Sequence, residues 1–152
     1  MDKGIYCLVF FTRGCTVPVG ALGDISFAAG WYVYVGSALG SGGLARLGRH
    51  IGLFLSRGKK PKWHVDYLLT CPEVFLRYAV SAPTTERLEC LLAESIGGPG
   101  VAGFGCSDCS CVTHLFFREK DPRRELVKAF RKLRLVPGIK SIIREDGAGK
   151  LR

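Results

Sequence analysis

Behind Gly4 the chain opens on an unbroken apolar run, Ile5-Tyr6-Cys7-Leu8-Val9-Phe10-Phe11, which Arg13-Gly14 ends. A short run of β-formers closed by turn residues predicts a buried strand. Thr16 to Leu22 reads as a second short strand, which Pro18 confines to a sheet edge. Ala29-Gly30 leads into Trp31-Tyr32-Val33-Tyr34-Val35, an aromatic and β-branched run that predicts another strand. From Gly36 to Gly43 four of eight residues are glycine, so the backbone is free to turn sharply there.

The apolar spacing then changes. Leu44, Leu47, Ile51 and Phe54 recur at threes and fours, which predicts a helix that Arg57-Gly58 and Pro61 stop. Trp63 to Leu69 reads as a short helix and Val74 to Val80 as a strand. Pro83-Thr84-Thr85 is expected to open a helix lined by Leu88, Leu91, Leu92 and Ile96, with Gly97 to Gly100 ending it. Gly103 to Cys111 reads as a loop and Thr113 to Phe117 as a strand. Asp121 as N-cap and Pro122 at the first helical position start a last helix, whose stripe is Leu126, Val127, Phe130 and Leu133 and whose stop is Pro137-Gly138. A frayed end is expected from Gly147 to Arg152. There is no internal repeat and no interdomain linker.

Composition adds three constraints. At 152 residues, with 47% hydrophobic and 23% charged, the chain suits one folded domain. The net charge of +9 favours a polyanionic partner, nucleic acid first. From Arg118 onward twelve Lys/Arg face five Asp/Glu, so that stretch carries +7 of the +9. It reads as a binding surface, the alternative being a solubilising face. Nothing resembles a signal peptide or a spanning segment, so a cytoplasmic protein with no membrane partner is expected. Seven cysteines, an odd number, argue for reduced thiols with at most one metal site rather than a disulfide framework.

Hydrolysis of a phosphodiester needs an activated water, a cation for the developing charge and usually a metal. Arg46, Arg49 and His50 lie three and four apart on the first long helix, so their polar groups are neighbours beside its apolar stripe. Glu89 falls at the border of the Leu88/Leu92/Ile96 face, whereas Glu86 and Glu94 point further out. A half-buried carboxylate suits a metal ligand; the alternative is a solvated helix residue. In Trp63-His64-Val65-Asp66-Tyr67, His64 and Asp66 can approach a site while Trp63 and Tyr67 can stack on unpaired bases, unless both aromatics are core. Lys62 beside them adds a cation. Cys106-x2-Cys109-x-Cys111-x2-His114 offers four ligands for tetrahedral zinc; otherwise it is a turn with buried thiols that brings Asp108 or His114 near the site. Arg123, Arg124, Lys128, Arg131, Lys132 and Arg134 form the basic face of the last helix.

Taken together, Gly4-Ile5-Tyr6 on a first strand, Tyr34-Val35-Gly36-Ser37-Ala38 ending a later one, Arg46, Arg49 and His50 on the next helix, and then Glu89 resemble the defining motifs of the GIY-YIG nucleases. The likeness covers roughly residues 4 to 97, with Gly103 to Leu115 similar to a small, poorly characterised branch of that family. It implies an α/β (α+β) fold with a central antiparallel sheet of about three strands flanked by helices, over residues 1–118; outside the likeness, a basic C-terminal helix and tail, 119–152, is expected to pack on the same domain. It also implies a single divalent cation, Mg2+ or Mn2+, on Glu89. Arg46 would stabilise charge on the phosphate, and Tyr6 and Tyr34 would flank the attacking water. A phenol, with a pKa of about 10, needs a lowered value from Arg46 or the metal to act as base. His50 is either a second proton-transfer group or a hydrogen-bond partner of Tyr34, and other members carry a histidine near the position of His64.

Tyr6 and Tyr34 are further apart than in compact members, so Gly14 to Gly30 reads as an insertion with room for its own strand. Glycine-rich Leu39 to Gly43 stands where a more charged connection is usual. The implied function is metal-dependent endonuclease cleavage in DNA repair or processing, on DNA before RNA. The alternatives are a noncatalytic nucleic-acid-binding module and a zinc-stabilised interaction domain serving a DNA-repair protein complex.

Overall fold

The structure is a computed structural model that describes residues 2–58, 60–105 and 111–142. The expected frayed end at Gly147 to Arg152 lies outside those residues. β1 (Gly4–Thr12) runs through the middle of a five-stranded sheet between β4 (Gly30–Ala38) and β5 (Val74–Pro83). β6 (Leu115–Arg118) borders β4, β7 (Gly138–Ser141) borders β5, and the order is β6-β4-β1-β5-β7 with every pair antiparallel. The sheet of about three strands expected from the sequence is thus only the centre, and edge strands of four residues widen it on both sides.

The unbroken apolar run of β1 follows from this position, because both faces of the strand are covered. Tyr6, Leu8 and Phe10 point to one core, and Ile5, Cys7 and Val9 to the other. Alternation along a strand makes that division automatic. On the first face lie α1 (Ala45–Ser56) and α2 (His64–Leu69), which contribute Leu47, Ile51, Phe54, Val65, Leu68 and Leu69. On the second lie α3 (Glu89–Ile96) and α4 (Arg123–Lys132), which contribute Leu92, Ala93, Ile96, Leu126, Ala129 and Phe130. A register shift between Val9 and Phe10 makes Arg77 the extra residue of β5, so Leu76 and Ala79 both face the α1/α2 core.

Several boundaries differ from the sequence expectation. Cys15–Pro18 is β2, Gly20–Leu22 is a 3-10 turn, and Asp24–Phe27 is β3, so the insertion folds as a separate two-stranded hairpin. α3 begins at Glu89 rather than near Pro83, because β5 continues through Pro83 and the Thr84 N–H donates to Lys3. α4 is counted from Arg123, with Pro122 in the cap position, yet Asp121 Oδ1 still accepts the Arg123 N–H. Pro137-Gly138 leads into β7, whose pairing with β5 is long-range and leaves no local mark.

Arg57 ends α1 in the left-handed conformation, at φ 51°. Its guanidinium donates to Cys71 O and Val74 O, which holds that turn against the chain entering β5. Arg118 donates to both carboxylate oxygens of Glu125, at 2.8 to 3.2 Å, and to Ile96 O and Gly97 O. One guanidinium therefore joins β6, the end of α3 and α4. Among the described residues no helix is long and apolar enough to cross a membrane.

Phe130 is 0% exposed in the α3/α4 core. Phe130→Ala is expected to cost about 3–5 kcal/mol in urea unfolding. A cost under about 1 kcal/mol would mean that α4 is not part of the cooperative fold.

Candidate active site

Tyr6 on β1 stands opposite Gly36 on β4. A Cβ at position 36 would lie 2.5 Å from Tyr6 Cζ and 2.6 Å from its Oη, so the missing side chain is what lets the ring lie across β4. From there Tyr6 Oη reaches Nε2 of His50 at 2.9 Å. His50 is on α1, where the helical turn that buries Leu47, Ile51 and Phe54 also buries its ring, 3% exposed. Its Nδ1 faces Asp66 Oδ1 at 4.0 Å. The hydrogen-bond partner of the ring is thus Tyr6 rather than Tyr34, with the Asp66 carboxylate beyond hydrogen-bond distance. Asp66 is fixed by its second oxygen, which accepts the N–H groups of Lys62 at 2.8 Å and Trp63 at 3.0 Å at the start of α2.

Burial sets the protonation of this pair. The Tyr6 phenol is pushed well above its ordinary value, first by burial and then by neighbouring Tyr34; Arg46 opposes the rise without overcoming it. The lowered value expected for a tyrosine base is absent. His50 is pushed down to about 4, chiefly by burial, while Asp66 opposes and Arg46 and Arg49 reinforce the shift. At neutral pH the structure therefore holds a neutral phenol against a neutral imidazole.

Tyr6 and His50 border a cavity of about 250 Å³. Tyr34, Arg46, His64 and Glu89 also line it, so all six residues singled out as catalytic candidates meet in one place. Arg46 donates to Ser37 O at 3.1 Å. His64 Nδ1 accepts the Gly105 N–H at 2.9 Å, which assigns the ring proton to Nε2. Glu89 is in the first turn of α3, and its Oε2 lies 2.9 Å from Nδ1 of buried His114.

The cation cluster centres on Trp63. Arg46, Arg49 and Lys62 lie over its ring at 5.3, 5.1 and 5.3 Å from the centroid. Trp63, His50 and Lys62 border the first cavity and also a second of about 430 Å³, which Arg49 and Lys60 line. Tyr67 packs against the α1/α2 core instead. Arg123, Arg124, Lys128, Arg131 and Lys132 are exposed on α4, which packs on α3 and β5 across the sheet from Tyr6 and His50, and they line neither cavity. Their separation from the site follows from the side of the sheet that Leu126 and Phe130 face.

For a hard cation, Glu89 is the one carboxylate among the residues lining the first cavity, and it is 28% exposed. A magnesium ion is commonly held by one or two carboxylates, with substrate phosphate and waters completing an octahedron, so this donor set fits. For a soft cation the expected thiol set is altered. Cys111 is joined to Cys90 of α3 in a disulfide, against the expectation of reduced thiols, and Cys106, Cys109 and Asp108 lie outside the described residues. Cys90, Cys111 and His114 offer ligand atoms within 4.8 Å of one another. Sequence reasoning missed Gly105, whose N–H orients His64, and Cys90. A contact from a loop or a distant helix has no spacing to betray it.

Among known proteins, a family model described as "Domain of unknown function DUF123" matches residues 5–135, a span that contains the whole cavity. No curated protein and no solved structure matches the chain.

Two measurements check the geometry. Since His50 binds a proton more weakly folded than unfolded, its contribution is complete above about pH 6.5 and falls away toward pH 4. Wild type is expected to lose up to about 3 kcal/mol more than His50→Gln between pH 7 and pH 4 in urea unfolding. Parallel pH dependence of the two proteins would contradict the buried neutral imidazole. Gly36→Ala is expected to cost about 1–3 kcal/mol through displacement of the Tyr6 ring, and a neutral substitution would show that the ring does not lie there.

Proposed function

The chain belongs to the family of the domain of unknown function DUF123, and because that description carries no activity, we propose from the cavity itself that it is a divalent-cation-dependent endonuclease hydrolysing phosphodiester bonds in nucleic acid, DNA being the expected substrate. The observation that carries the reading is the hydrogen bond between Tyr6 and His50 at 2.9 Å, in a cavity that Arg46 and Glu89 also line. The likeness of these residues to the GIY-YIG motifs supports it, as does the net charge of +9.

In this reading the chain's own groups carry the proton path. With its pKa raised, Tyr6 acts as a neutral relay and not as a phenolate. As the water oxygen bonds to phosphorus, the water proton passes to Tyr6 Oη while the Tyr6 proton passes to His50 Nε2. Asp66 beside Nδ1 steadies the imidazolium that forms. The bond from phosphorus to the leaving oxygen breaks, and that oxygen takes a proton from solvent, with His64 Nε2–H as a hydrogen-bond donor. Arg46 stabilises charge on the phosphate, while Trp63 with Arg49 and Lys62 holds the flanking strand by stacking and charge. Glu89 would hold a magnesium or manganese ion, which would supply further positive charge to the phosphate.

The test is cleavage of labelled DNA and RNA structures with Mg2+ or Mn2+. Wild type is expected to cut, with Glu89→Ala and Arg46→Ala each slowing it by about 10²-fold or more. Tyr6→Phe is expected to lose the relay and flatten the pH-rate profile. Unchanged activity in Tyr6→Phe would remove the relay. Binding without cutting at any metal concentration would favour a noncatalytic nucleic-acid-binding module built on the cations around Trp63.

A further inference from the structure

Beside the proposed catalytic cavity, the first turn of α3 and the segment entering β6 bring together three groups of a different chemistry. We propose that Cys90, Cys111 and His114 form a zinc site in the reduced protein, of which the Cys90–Cys111 disulfide is the oxidised form. Both sulfurs and a ring nitrogen of His114 lie within 4.8 Å of one another. Around tetrahedral zinc, Zn–S of about 2.3 Å and Zn–N of about 2.0 Å put ligand atoms about 3.5–3.8 Å apart, so one ion spans this set once the sulfurs are free to separate.

The surroundings favour a metal over a chance meeting of side chains. His114 is 1% exposed, and the Phe104 carbonyl accepts its backbone N–H at 2.9 Å, so its main chain is tied to the preceding loop. Cys90 and Cys111 are half-buried, which keeps them within reach of solvent and of a reductant. Three protein ligands leave a fourth position for water. Two thiolates and an imidazole select zinc over magnesium, so the site differs in kind from the carboxylate in the cavity.

The conversion balances with a dithiol reductant. The dithiol delivers two electrons and two protons to the S–S bond and becomes a disulfide itself, while Cys90 and Cys111 become thiols. Zinc then binds as the two thiols release their protons, and the bound ion holds the pair in the reduced state by mass action. The site also abuts Glu89, which precedes Cys90 and whose Oε2 lies 2.9 Å from His114 Nδ1. A change of redox state therefore reaches the carboxylate that lines the cavity. That consequence rests on the cleavage reading; zinc binding does not.

Spacing along the chain points to a set sharing Cys111 and His114 but drawing on Cys106 and Cys109, which lie outside the described residues. Cys90 distinguishes the two. The full chain, reduced and stripped of metal, is titrated with Co2+ and then Zn2+. One equivalent of cobalt is expected to give thiolate-to-metal charge-transfer absorption, zinc to displace it, and oxidation to the disulfide to abolish it. Cys90→Ser is expected to weaken zinc binding at least tenfold, while Cys15→Ser on β2 leaves it unchanged. The proposal is overturned if reduced wild type gives no such absorption, if the absorption survives oxidation, or if folded Cys90→Ser binds zinc as tightly as wild type. Should Cys90→Ser not fold, Cys106→Ser and Cys109→Ser decide: each is expected to bind zinc as tightly as wild type, and a tenfold loss in both overturns the proposal. The readout is metal binding alone, so its failure and a failure of cleavage are separate results.

Discussion

Tyr6 crosses β4 where Gly36 carries no side chain, and the geometry of the cavity depends on that crossing. β1 is the central strand, hydrogen-bonded on both edges and covered on both faces, so its backbone has little freedom to shift. A rigid strand and a vacancy on its neighbour fix Oη within 2.9 Å of a histidine on a helix that the sheet itself anchors. Chemistry that depends on placement within a fraction of an ångström is best carried by side chains on such elements.

The same burial governs the electrostatics. A phenol and an imidazole taken out of water both favour their neutral forms, and here the effect of desolvation exceeds that of every nearby charge. Asp66 lies close enough to His50 to favour its cation but not close enough to create it. The charged residues that line the cavity are Arg46 and Lys62, around Trp63, and Glu89, at the start of α3. A neutral phenol–imidazole pair thus shares the cavity with fixed charges of both signs.

Two groups of basic residues stand on opposite sides of the sheet. Those of α1 and the segment before α2 surround the cavity, whereas those of α4 look away from it because Leu126, Ala129 and Phe130 face the α3 side. Charge summed along the chain does not distinguish them. Only the first group is in position to serve the cavity. The second makes the back of the molecule basic, with Arg118 and Glu125 clamping that helix to β6 and the end of α3.

The sequence by itself determined the elements whose signals are local. The apolar run of β1, the aromatic run of β4 and the three-and-four spacing of α1 each gave the right element, since strand and helix periods are written in neighbouring residues. It also brought forward Tyr6, Tyr34, Arg46, His50, His64 and Glu89, which the structure gathers around one cavity although the chain carries them on five elements. What only the tertiary structure decided is what depends on pairing across distance. The place of β6 beside β4, the edge strand β7, the choice of Tyr6 as partner for His50, the Glu89–His114 contact and the meeting of Cys90 with Cys111 all join residues far apart in the chain. The direction of the Tyr6 pKa likewise needed the fold, because burial is a property of the packed core and not of any residue in it.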